Sequence, residues 1–161
     1  MKRNADGRLA RARVVEFATH GLVAGNGDGL AEPALVLSAG PKPRDWLLTA
    51  SDAAKLRINA EWVLLSACNT ASPDLQDPEG LSGLARGFFY AGASALLVSQ
   101  WSLADDTAAT LVPTAIRLHA DKGLWRAEAL RRASLAILDD RRADHTHPFY
   151  WSPFVLIGEP R

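Results

Sequence analysis

The chain has 161 residues, 48% hydrophobic and 22% charged, which fits one globular domain with a real core and leaves little room for two. Eighteen Lys and Arg against eighteen Asp and Glu give no net charge, no apolar run approaches the ~20 residues that span a bilayer, and the basic stretch from Met1 to Arg13 leads into no signal-peptide segment. The chain therefore reads as soluble and cytoplasmic, without nucleic acid or membrane as a partner, and its single cysteine, Cys68, excludes a disulfide framework and a multi-thiolate zinc site.

In chain order, Arg13 to Ala18 (RVVEFA) predicts a buried parallel strand, being short, rich in branched residues and closed by a small one. Ala34 to Ser38 and Trp46 to Thr49 predict a hairpin across the Gly/Pro/Lys turn at 40 to 43. Ser51 and Asp52 then offer a helix N-cap, with a short helix from Ala53 to Asn59 leading into a second buried strand, Glu61 to Ala67 (EWVLLSA). Ser72 to Pro78 is turn-rich, and Glu79 to Ala91 sets Leu81, Leu84, Ala85 and Phe88 at helical spacing. Ser94 to Trp101 (SALLVSQW) predicts a third buried strand. Asp105 to Ala120 predicts a helix through Ala108, Leu111, Val112 and Ala115 that Pro113 should kink or interrupt. A further helix, Arg126 to Asp139, carries Ala127, Leu130, Ser134 and Ile137 on one side, and a last strand runs from Phe154 to Ile157, ended by Gly158.

Strands alternating with helices imply an α/β domain with a mostly parallel sheet, and in such sheets sites gather at the carboxyl ends of the strands. His20 lies just past the first buried strand and Cys68 at or just past the end of the second. If those strands are parallel neighbours, both side chains emerge at one sheet edge. A free thiol titrates near 8.5, so only a small fraction is thiolate at neutral pH, and an adjacent imidazole makes it a usable nucleophile by taking or balancing its proton. Gly21, directly after the histidine, leaves an uncrowded amide that can join the Cys68 amide in holding an oxyanion. Residue types alone leave a second account open, in which Cys68 is a small packing residue and His20 a strand-end histidine.

The strings FATHG (Phe17 to Gly21) and LSACNTA (Leu65 to Ala71) resemble the two signature segments of the CHAT domain family, which belongs with the caspase, separase and gingipain-like cysteine peptidases. Further matching segments follow in order: LLTASDAAKLRINAEWVLLSACNTA from Leu47, EGLSGLARGFFYAGASALLVSQWSLADD from Glu79, and HPFYWSPFVLIG from His147 to Gly158. The resemblance implies one CHAT peptidase domain over residues 1–161, a caspase-like three-layer sandwich with a mostly parallel central sheet. Only about a dozen residues precede the histidine strand, and a βαβ unit needs roughly 30. The amino-terminal strand and helix units of the wider fold are thus expected to be missing, leaving the carboxyl-terminal two-thirds.

The resemblance further implies His20 as general base, Cys68 as nucleophile, and the amides of Gly21 and Cys68 as oxyanion hole, acting on a peptide carbonyl through a thioester with no metal and no cofactor. Metacaspase-like relatives hold an acid two positions before the nucleophile for a basic P1 side chain. Here that position is Ser66, so an Arg/Lys pocket is not carried over and the primary specificity stays open. Ser66, Asp105 and Asp106 remain candidates for substrate binding, with helix capping the competing role for the two aspartates. Expected partners are a protein or peptide substrate and either a second copy of the chain or a tetratricopeptide-repeat or other regulatory protein. The competing function is a non-catalytic or truncated interaction module that binds through its sheet edge.

Other features attract simpler readings. His145 and His147 alternate, but too few further ligands accompany them to complete a metal site. His147 reads as a turn residue before Pro148, in the region resembling the family's closing strand, and His119 as a solvated or capping side chain near a helix end. Trp101, Phe149, Tyr150 and Trp151 lack the basic cluster of a base-stacking surface. The glycines of GNGDG at 25, 27 and 29 lack the Lys-Ser/Thr of a phosphate loop and read as a loop near His20.

Overall fold

The computed structural model of the chain describes residues 7–22, 30–38, 46–66, 80–101, 105–140 and 143–161. Its elements are α1 (Arg8–Arg11), β1 (Val14–Phe17), β2 (Gly21–Leu22), β3 (Ala34–Val36), β4 (Leu47–Thr49), α2 (Ala50–Ala53), β5 (Trp62–Leu65), α3 (Gly80–Tyr90), β6 (Ala95–Ser99), α4 (Asp105–Lys122), α5 (Arg126–Leu138), a 3-10 turn (Ala143–Thr146), α6 (Pro148–Trp151) and β7 (Phe154–Gly158). The three strands predicted as buried and parallel pair side by side as β1-β5-β6, although β1, at the sheet edge, buries only Val15, and β7 closes the sheet antiparallel to β6.

Both faces of this sheet are covered, which is why its central strands read as unbroken apolar runs. Successive side chains point to opposite faces. Val63, Leu65, Leu96 and Val98 face one way, packing with Ala53 of α2 and Leu84, Ala85 and Phe88 of α3. Trp62, Leu64, Ala95 and Leu97 face the other way, packing with Leu111, Val112 and Ala115 of α4 and Ala133 and Ile137 of α5. The result is a three-layer α/β sandwich. Every residue of β5 and β6 is buried, and each large apolar side chain so removed from water contributes about 1.5–3 kcal/mol.

The hairpin forms as predicted from β3 and β4, and β2, which the sequence reading does not anticipate, adds to β3 to make a second, three-stranded sheet. The short helix after it differs. Thr49, not Ser51 or Asp52, is the N-cap, its hydroxyl accepting the Asp52 N–H at 3.2 Å, and α2 ends at Ala53. Beyond it Leu56, Ile58 and Ala60 are buried while Lys55, Arg57 and Asn59 are exposed, a period of two that belongs to an extended segment running into β5.

Pro113 does not interrupt α4, which runs on to Lys122. The proline denies an N–H to the carbonyl of Ala109, but both residues are exposed on the outer face, where water can take the bond. On α5 the buried stripe is Arg126, Ala129, Ala133 and Ile137, rotated from the predicted one, and Ala127 is exposed. His147, read as a turn residue before Pro148, caps the one-turn α6, its Nδ1 accepting the Phe149 N–H at 3.2 Å. The hairpin turn at 40 to 43, the GNGDG glycines, Ser72 to Pro78 and the side chain of Leu81 lie outside the described residues. Among the described residues, no helix is long and apolar enough to cross a membrane.

Candidate active site

Strands β1, β5 and β6 end together, because their register is nearly unstaggered: Phe17 pairs with Leu65, and Leu65 with Val98. Their carboxyl ends form a rim carrying Glu16, Thr19, His20, Ser66, Gln100 and Trp101. His20 follows Phe17 by three residues, and its imidazole is exposed. Its backbone is fixed between the two sheets: the His20 carbonyl accepts from Val36 N–H at 2.8 Å, the Thr19 hydroxyl donates to the Val36 carbonyl, and Gly21 pairs with Leu35.

Ser66 is the last described residue after β5, and its hydroxyl donates to Glu16 Oε1 at 3.3 Å. Cys68 lies outside the described residues. Asp106 is exposed in the first turn of α4, where its Oδ1 accepts the Thr107 N–H at 2.8 Å, so it supports a helix start, the competing role noted for it. Asp105 begins the same helix, and its side chain lies outside the described set.

The sequence reading misses Glu16. Its signal was present: a charged residue flanked by apolar ones within the strand VVEF. Among the described residues, the carboxyl ends of β1, β5 and β6 and the first turn of α4 carry acidic groups at Glu16 and Asp106 and neither lysine nor arginine. The basic residue nearest these strands in sequence, Arg13, sits at their amino end in a bidentate pair with Glu61, at 2.9 and 2.8 Å, whose hydrogen bonding holds the Glu61 carboxyl below its ordinary range.

The remaining histidines are occupied elsewhere. The His119 side chain is only 15% exposed rather than solvated, with Nδ1 at 2.7 Å from the Leu124 carbonyl and its ring edge-on to Trp62. His145 is buried with its ring 5.2 Å from that of Tyr150. Among the described residues, no group of three or more His, Cys, Asp or Glu is arranged to hold a metal ion. Trp101 donates its indole N–H to the Phe149 carbonyl at 3.2 Å and stacks on the Phe149 ring, fastening α6 to the end of β6.

A family model, that of the CHAT domain, matches residues 3–159. The chain belongs to the CHAT domain family. CHAT domains are of the caspase-like cysteine peptidase family, and the layered, mostly parallel sheet of this one agrees with that fold. Similar curated proteins include tetratricopeptide repeat protein 28 of Mus musculus, 32% identical over 118 residues, and that of Homo sapiens, 30% identical over 118 residues. Each match covers 73% of this CHAT chain and 5% of the relative, so the chain corresponds to a small part of those proteins.

Proposed function

We propose that the chain is a cysteine endopeptidase in which His20 is the general base and Cys68 the nucleophile. The observation that carries this reading is the parallel pairing of Phe17 with Leu65, since His20 and Cys68 each follow their paired residue by three positions. The Cys68 thiol gives its proton to the imidazole, and the sulfur attacks the scissile carbonyl. The amides of Gly21 and Cys68 stabilise the tetrahedral oxyanion, a role worth roughly 100- to 1000-fold per donor where it has been measured. Collapse breaks the C–N bond, the leaving amine takes the proton back from His20, and a thioester remains. Water deprotonated by His20 then attacks the thioester, releasing the acid and regenerating the thiol. Each step uses side chains and water, and a reducing, cytoplasmic setting keeps the lone thiol available.

The test is Cys68→Ala, assayed by labelling with a peptide-directed thiol electrophile and by cleavage of a peptide library, with circular dichroism to show that the fold is kept. Labelling and cleavage should vanish. Persistence of either in the variant overturns the assignment.

A second reading, a non-catalytic interaction module, draws support from the relatives, which are named for tetratricopeptide repeats and are far longer than this chain. Either a repeat protein or a second copy of the chain is the partner it implies. Retained partner binding together with an inert Cys68 favours it, and a reactive Cys68 counts against it.

A further inference from the structure

We draw no further inference here: the strongest candidate, the outer edge of β7, an uncharged strand that ends the sheet and leaves Val155 exposed, carries none because nothing in the structure shows what covers it.

Discussion

Two glycines one turn apart on α3 should respond to alanine with opposite signs. Both sit in a helix interior, where replacing glycine by alanine gains about 0.5–1 kcal/mol from backbone entropy and propensity. At Gly83 a new β-carbon would meet Pro33 Cγ at 3.5 Å and Cδ at 3.7 Å, ordinary contact, so Gly83→Ala should keep the whole gain. At Gly87 it would meet the Ala50 carbonyl oxygen at 2.6 Å and Ala53 Cβ at 3.4 Å. That carbonyl cannot easily retreat. It accepts the Ala54 N–H at 3.1 Å, and the Ala50 N–H donates to the Pro33 carbonyl at 3.0 Å, so moving it disturbs both ends of α2. Overpacking of this kind costs about 1–3 kcal/mol, which exceeds the propensity gain and leaves Gly87→Ala destabilised by about 0.5–2 kcal/mol. Urea unfolding reads both variants against wild type, the midpoint reporting the change while an unaltered slope shows that the unfolding reaction is the same. A Gly87→Ala midpoint as high as that of Gly83→Ala would refute the close packing of α2 on α3.

Two further outcomes test other parts of the fold. Pro113→Ala in the exposed middle of α4 should restore a helical hydrogen bond and stabilise the chain by about 2 kcal/mol, the proline's helix penalty less the advantage it gives by stiffening the unfolded chain, and a melting temperature that fails to rise would contradict the unbroken helix. The Glu128 carboxyl, hydrogen-bonded first by Arg131 and then by Arg132, is pushed down to about 2, so its contribution to stability is complete above its ordinary value of 4.5 and is lost as the pH falls from there through about 2. A carbon-detected NMR titration should place it there and move it up in Arg131→Ala, whereas an ordinary midpoint in wild type would show that the pair does not form in solution.

The parts of this fold that could be read directly from the residues are those whose burial leaves no choice. EWVLLSA and SALLVSQW are apolar on both strand faces, and only a sheet covered by helices on each side buries them, whereas RVVEFA buries Val15 alone and leaves Glu16 exposed. Elements set by local competition were harder. Leu56, Ile58 and Ala60 can be read at helical spacing, and only the packing of Ile58, whose N–H donates to the Ala91 carbonyl at 2.8 Å, makes the segment extended. Likewise β2 has two residues and owes its form to β3 rather than to propensity. Of the candidate site, the place of His20 just past a strand was legible, but the nearness of Glu16 to Ser66 was not, because it depends on the pairing of strands whose residues lie fifty positions apart.

The reversed direction of β7 has a practical corollary. Gly158 lies beside Ala95, where β6 begins, and the Glu159 N–H donates to the Ser94 carbonyl, while the chain enters β1 from the same pole through Arg13. The chain entering β1 at Arg13 and the chain leaving β7 at Gly158 therefore both lie at the pole opposite His20 and Glu16.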